Sequence, residues 1–392
     1  MTANIVSPEL LQYPQDDVLR LLRFWCCDIF QYKLMKFVIF VMLVANTVLM
    51  VLQGYHFLIN FNSLYFISYS PYWFGSFFII LSLTSCLTLP TIGPEALQSM
   101  DLWKIQPMKR IKFQTELIRA YTTINTVISL IAGLAHTFPS KNAEKICYVY
   151  RIIGIYVPKW KTELCWMYKA SYIVMALALP ATCNQLVYGA SHIRFQIYML
   201  LDSIKSNLVK EFGDDLKLSN DKDFQEEITK KIIFSDNRFS MIHKSIQTVN
   251  RRTSVYILLY AIMGGVLGIS ILMFYFKFSG TLLISDYLHA GTLAIAAVST
   301  FMATITSGQT LENLTEELLV TWSSIPWYLL NKRNKQIYLM VMVHFVKSLS
   351  FQFTENMAIN YNLGAAIGKM IYSMLSLLTQ MSHKDTDTLY RQ

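Results

Sequence analysis

From Phe37 to Pro94 the chain runs 58 residues without one Asp, Glu, Lys or Arg. About 20 apolar residues suffice for a helix to cross the hydrocarbon core of a bilayer, so this stretch is too long for one crossing. The polar break Asn60, Asn62, Ser63, Ser68, Ser70 and Pro71 divides it into helices predicted over 37–59 and 71–92. In hydrocarbon every backbone N–H and C=O must be satisfied within the protein, which favours helices for such segments. Further charge-free intervals at 120–140, 170–193, 253–276 and 287–311 each suit one span. The last apolar region, from about Gln336 to Met381, is interrupted by Lys347, Glu355 and Lys369 and reads as a shorter helix followed by a spanning one. The predicted fold class is an all-α membrane protein with seven transmembrane helices, its last span split in two.

The rest of the composition agrees. Charged residues make up 15% of the chain, against roughly 25% in soluble domains. The net charge of +9 does not point to nucleic acid, because the basic residues cluster in loops between apolar runs, where they act as orientation signals. With an inner N-terminus, the inner segments hold 22 Lys and Arg and the outer segments 9, so the positive-inside rule places the N-terminus in the cytoplasm. Seven spans then put the C-terminus outside the cell. The loop 139–169, with six basic residues, pulls the other way. The first 36 residues show no signal-peptide pattern, so the first apolar run is expected to serve as both targeting signal and first span. The expected location is the plasma membrane.

Helical periodicity continues beyond the spans. Ile197, Leu200, Leu201, Ile204 and Leu208 extend the fourth span inward, and Ile232, Ile233, Phe239, Ile242 and Ile246 precede the fifth. Leu311, Leu314, Leu318 and Trp322 form a stripe after the sixth. Such stripes must bury against one another or against a neighbouring subunit, which predicts a helical cytoplasmic anchor layer. The acidic segment 211–227 reads as a mobile loop between two of these helices. The organisation is therefore 1–194, N-terminal tail and spans one to four; 195–252, cytoplasmic extensions; 253–308, spans five and six; 309–350, anchor segment; and 351–392, final helix with a short outer tail.

The final span keeps polar groups that a lipid-facing helix has no reason to carry. On a helical wheel Ala366, Met370, Ser373, Leu377, Gln380 and Met381 share one face, alternating small or polar groups with large apolar ones. That is the character of a pore wall with a hydrophobic constriction, and equally of a helix bonded to its neighbours in a bundle. Tyr72, Trp73, Phe74, Phe77 and Phe78 begin the second span, where an interfacial belt and a pocket wall are both compatible. Ser129, Ala132, Gly133 and His136 line one side of the third span and could leave room for a small apolar ligand. Gly264, Gly265 and Gly268 form a close-packing face in the fifth span, and Pro180 suggests a kink in the fourth. Cys147 and Cys165 share an outer loop, where a disulfide and a free pair are both compatible. The sequon Asn313-Leu314-Thr315 falls on the predicted inner side and should be unused. No cysteine or histidine spacing suits a metal, no enzyme signature stands in the chain, and neither catalysis nor a cofactor is expected.

The C-terminal third resembles the insect odorant receptor family. In that family a Gly-Gln ends the sixth span and a Trp-Tyr follows; here stand Gly308-Gln309, Glu316, Leu318 and Trp327-Tyr328. The family's final helix has counterparts in Lys369, Tyr372, Ser373, Leu377, Leu378 and Gln380, and departs at Ile371, Met374 and Leu375. The resemblance implies an odorant-gated cation channel, with a tuning subunit joined to the shared odorant receptor coreceptor in a heterotetramer in the dendritic membrane of olfactory neurons. It implies a central pore lined by the final helices, with Met370 and Ser373 in its wall and Leu377 at the gate beside Gln380 and Met381. It also implies an outer-half pocket for a small volatile ligand, formed here by Tyr72, Trp73, Phe77, Ser129, Ala132, His136, Met175, Leu179 and Tyr287. Gustatory receptors share the layout, and a gustatory-type homotetrameric channel is the alternative. A solute transporter should show internal repeats and several broken helices; the chain has one broken helix and no repeat.

Overall fold

The structure, a computed structural model, describes residues 17–59, 61–90, 108–138, 148–209, 221–278, 284–347, 349–354 and 357–389. A short α1 (Arg20–Cys26) and a 3-10 turn (Asp28–Gln31) lead into α2 (Lys33–Ile59), α3 (Ser63–Thr88) and α4 (Lys109–Thr137). A small α5 (Tyr148–Tyr156) precedes three very long helices, α6 (Lys161–Ile204), α7 (Lys222–Phe278) and α8 (Ile284–Ser323). Then come α9 (Lys332–Phe345), a two-stranded antiparallel hairpin β1 (Gln352–Thr354) and β2 (Met357–Ala358), and α10 (Tyr361–Leu389).

Among the described residues six helices are long and apolar enough to cross a membrane, namely α2, α3, α4, α6, α7 and α8; α10, the expected seventh span, is not one of them. Their outward faces are apolar: Phe37, Val44, Val48 and Val51 of α2 and Val255 and Ile262 of α7 are all exposed. That is the expected surface of a multi-pass membrane protein, whose solvent on these faces is lipid. The second span starts at Ser63 rather than 71, and the helix runs through Pro71. Proline is tolerated in such spans because neighbouring groups compensate for the lost backbone bond.

α6 is the central post, packed by α8, α4, α3, α1, α7 and α5. The largest apolar core lies at one end, where α6, α7 and α8 outrun their spans. Ile197, Leu200, Ile204, Ile232, Ile242, Leu318 and Trp322 are all fully buried there, so the periodic stripes pack against one another within the chain. Ile233 is the exception and is exposed. Trp322 stacks on Tyr338 of α9 at 5.6 Å, and Phe345 of α9 meets Phe239 of α7 at 4.5 Å. A buried amide network clamps α9 to the start of α7. Gln225 Nε2 donates to the Leu329 carbonyl (3.0 Å) and its Oε1 accepts from Asn331 N–H (2.9 Å), while Asn334 Nδ2 donates to both oxygens of Gln225. The side-chain amides of Gln225 and Asn334 thereby find partners, the condition for burying them without large loss. Residues 210–220, most of the acidic loop, lie outside the described residues.

Candidate functional sites: the upper bundle and the last helix

Away from the large core the bundle holds a series of aromatic contacts. Trp73 of α3 lies edge-on to Phe57 of α2 (5.7 Å) and to Phe77 (5.1 Å), and its indole N–H donates to the Met50 carbonyl at 3.3 Å. Tyr72 packs instead on Val149, Tyr150 and Ile153 of α5, beside Tyr168 of α6. On α4, His136 Nδ1 is 2.8 Å from the Ala132 carbonyl and its ring meets Tyr172 of α6 at 5.9 Å. Tyr172 contacts Tyr168 (5.3 Å), and Tyr168 contacts Tyr150 (6.1 Å). The α3 and α4 groups are thus joined through Tyr168 and Tyr172, two residues that sequence reasoning did not single out. Both belong to the run Tyr168-Lys-Ala-Ser-Tyr172, an i,i+4 aromatic pair on one helix face, and that spacing was readable.

Gly133 is required where it stands, because a Cβ would press on both the Ala176 side chain and the Tyr172 carbonyl. This lets α4 approach α6 closely and buries Ala132 and Ser129 against it. Met175 is buried among Ile39, Met42, Leu83 and Cys86, with Ile79 and Tyr172 against them. Leu179 is half-buried one turn further along α6. Tyr287 stands apart, exposed at the start of α8 with its ring 5.5 Å from Tyr275 of α7.

A polar seam inside the bundle was missed at the level of sequence. Asn125 of α4 accepts through Oδ1 from Ser299 (2.6 Å) and Thr300 (3.3 Å) of α8, and Tyr121 donates to Asn184 of α6 at 2.8 Å. The Nδ2 of Asn125 and the Oγ of Ser129, one turn apart and both buried, have no hydrogen-bond partner among the described residues. A second hub is Tyr260 of α7, whose hydroxyl is 2.9 Å from Ser82, 3.0 Å from Thr182 and 3.3 Å from Ser85. A list of single polar residues inside the charge-free intervals would have contained all of these.

α10 packs along one side on α7 and α8. Met370 lies over Gly265 of α7, where a Cβ would crowd it, so the glycine face of α7 receives the last helix. The seat of α10 is built around Gly308: a Cβ there would overlap the Ile359 carbonyl oxygen. Gln309 Oε1 then accepts from the Tyr361 N–H (3.1 Å), and Glu312 accepts from Asn360 at 3.2 Å, together fixing the start of α10. Tyr372, Ser373 and Leu377 remain exposed, Tyr372 at 75% and Leu377 at 51%. The helix includes Gln380 and Met381, whose side chains lie outside the described residues, as does Cys147 altogether. Among the described residues no group of His, Cys, Asp and Glu could hold a metal ion.

No family model matches the sequence, and no curated protein matches it. Solved structures do. The insect olfactory receptor OR5 from Machilis hrabei superposes with a TM-score of 0.68 at 9% identity, over 93% of this chain and 97% of that one. The structure of the same receptor in complex with eugenol gives 0.63 at 10% identity over the same shares. This chain therefore has the fold of an insect olfactory receptor.

Proposed function

We propose that the chain is an odorant-gated cation-channel subunit, with its N-terminus in the cytoplasm and its C-terminus outside, working in a heterotetramer with the odorant receptor coreceptor. The observation that carries this reading is the placement of α10. It rests on its own subunit along one side and leaves Tyr372, Ser373 and Leu377 facing outward. One helix cannot enclose a conduit, so an exposed polar and apolar face of this kind is supplied to a shared axis. Leu377 forms the hydrophobic constriction there, flanked by Gln380 and Met381, with Met370 and Ser373 below it in the wall.

The ligand is a small, volatile, largely apolar molecule, in keeping with the eugenol held by OR5. It binds in the upper bundle among Tyr72, Trp73, Phe77, Ser129, Ala132, His136, Met175 and Leu179, with Tyr287 apart from them at the start of α8. A ligand burying roughly 250 Å² of apolar surface gains about 6 kcal/mol before ordering costs. The unpartnered Ser129 hydroxyl and Asn125 amide stand ready for one polar group of the ligand. Gating requires unequal affinity for the closed and open states. α7 joins the two sites, since its Tyr260 bonds to α3 and α6 and its Gly265 carries Met370 of α10.

The test is expression with and without the coreceptor, exposing cells to volatile esters, alcohols, terpenes and aromatics while recording current. Ligand-evoked cation current only in the coexpressing cells is expected. Robust currents from this chain alone would instead identify a gustatory-type homotetramer, and silence in both would remove the channel reading.

A further inference from the structure

Arg194 of α6 is a buried charge with no counter-ion among the described residues. It is 8% exposed, directly follows the charge-free interval 170–193, and its Nε has no hydrogen-bond partner among the described residues. Its NH2 reaches only a neutral hydroxyl, Ser191 Oγ, at 3.4 Å, and its guanidinium lies 5.8 Å from the Phe195 ring centroid. A buried guanidinium without a carboxylate is among the costliest features a fold can retain.

Its surroundings add positive charge. One turn along α6 stands Tyr198, and the Arg110 guanidinium lies 4.2 Å above that ring, close enough for its like charge to bear on Arg194. Arg110 donates to both oxygens of Glu317 (3.1 and 3.2 Å), and Lys205 donates to the same carboxylate at 3.3 Å. Arg110 and Lys205 thus share the carboxylate of Glu317, and Arg194 meets no carboxylate among the described residues. Arg110 also stands in the first turn of the 29-residue α4, whose N-cap Met108 makes no side-chain cap bond. The uncapped N–H groups of that turn and the positive end of the helix dipole add to the field. Lys109 and Lys112 are exposed beside it.

We propose that the junction between the start of α4 and this part of α6 binds a phosphate-bearing anion through Arg110 and Arg194, with Lys205 adding positive charge from beyond Glu317. Two guanidinium forks match phosphate oxygens pairwise, and a dianion, not a lone carboxylate, balances the excess charge. The position of Arg194 at the end of an apolar interval favours the headgroup of a phosphorylated lipid over a soluble phosphate. This site lies apart from the upper bundle and does not depend on odorant gating.

The experiment uses the full chain in lipid nanodiscs. Saturable binding of short-chain phosphatidylinositol bisphosphate is measured beside inositol trisphosphate and inorganic phosphate. Wild type should bind, and Arg110→Gln and Arg194→Gln should each weaken binding about tenfold or more, the scale of one lost charge-assisted hydrogen bond. Arg110 is exposed and its variant leaves the core intact, so the test survives misfolding of the Arg194 variant. Tighter binding of the lipid than of inositol trisphosphate assigns a membrane source; equal binding supports the phosphate site and assigns a soluble one. No saturable binding of any probe, or binding unchanged in Arg110→Gln, overturns the proposal.

Discussion

Asp17 shows how much one residue can organise. It is 4% exposed at its side chain, yet it is ionised among partners: Arg23 donates to Oδ2 at 2.9 Å, Tyr188 to the same oxygen at 3.0 Å, and the Leu19 N–H to Oδ1 at 2.9 Å. His192 Nε2 lies 3.2 Å from Oδ1. Burial raises its pKa, but the contacts with His192, the Leu19 N–H and Arg23 outweigh burial and hold it down to about 2. A carboxylate depressed in the folded state stabilises the fold above its unfolded pKa, and that contribution is lost as pH falls through the folded value. Docking of α1 on α6 should therefore be firm above about pH 4 and loosen as pH falls toward 2. Asp17→Asn should remove about 2 kcal/mol at neutral pH, read as faster amide exchange across residues 20–26. Equal protection in wild type and variant at pH 7 would refute this. Gly308 works by the opposite means, since what it contributes is the absence of a side chain against the Ile359 carbonyl.

Among the elements, α10 differs most from the rest. The other long helices bury a stripe against α6 or against each other, whereas α10 packs along one side, on α7 and α8. Hydrophobic constrictions close by expelling water, so shortening the side chain that forms one should let the pore wet. Leu377→Ala, coexpressed with the coreceptor, should raise resting conductance several-fold while preserving the order of ligand preference, measured as current before and during odorant application. Unchanged leak together with unchanged ligand response would remove Leu377 from the gate. Lys369 is exposed on the same helix.

For the whole molecule, the large core at one end and the lipid-like sides of the bundle divide the protein into two regimes. At the core end, side-chain amides and aromatic stacks hold long helices together in a manner familiar from soluble proteins. Along the spans the exposed surface is apolar, and polar groups turn inward to Tyr260, Asn125 and Asn184. The excess of basic residues in the segments that meet at the core end predicts that this end faces the cytoplasm. An epitope tag at the N-terminus should stain only after permeabilisation of cells, and one at the C-terminus should stain intact cells. Staining of the N-terminal tag on intact cells would invert the topology.

Charge-free intervals were enough to mark one long helix each for α2, α3, α4, α6, α7 and α8, because hydrocarbon and buried cores both punish a misplaced charge, but the helices outrun the intervals at many ends. Helical periodicity also marked the inward-facing stripes and the odd chemistry of the last helix. The start of α3 eight residues before Pro71, α4 beginning at Lys109, and α5 inside the loop 139–169 were not legible, since charged or proline-bearing turns remain helical when neighbours satisfy them. Gly308-Gln309 was readable only as a motif; its reason, a carbonyl seated where a Cβ would be and an amide capping α10, is a contact across 50 residues. The same holds for Tyr168 and Tyr172 between the two halves of the upper bundle, and for Arg194, which meets no counter-ion among the described residues. One-dimensional patterns record which medium each residue must meet. Which partner it meets is decided when distant helices are brought side by side, and that determines the sites.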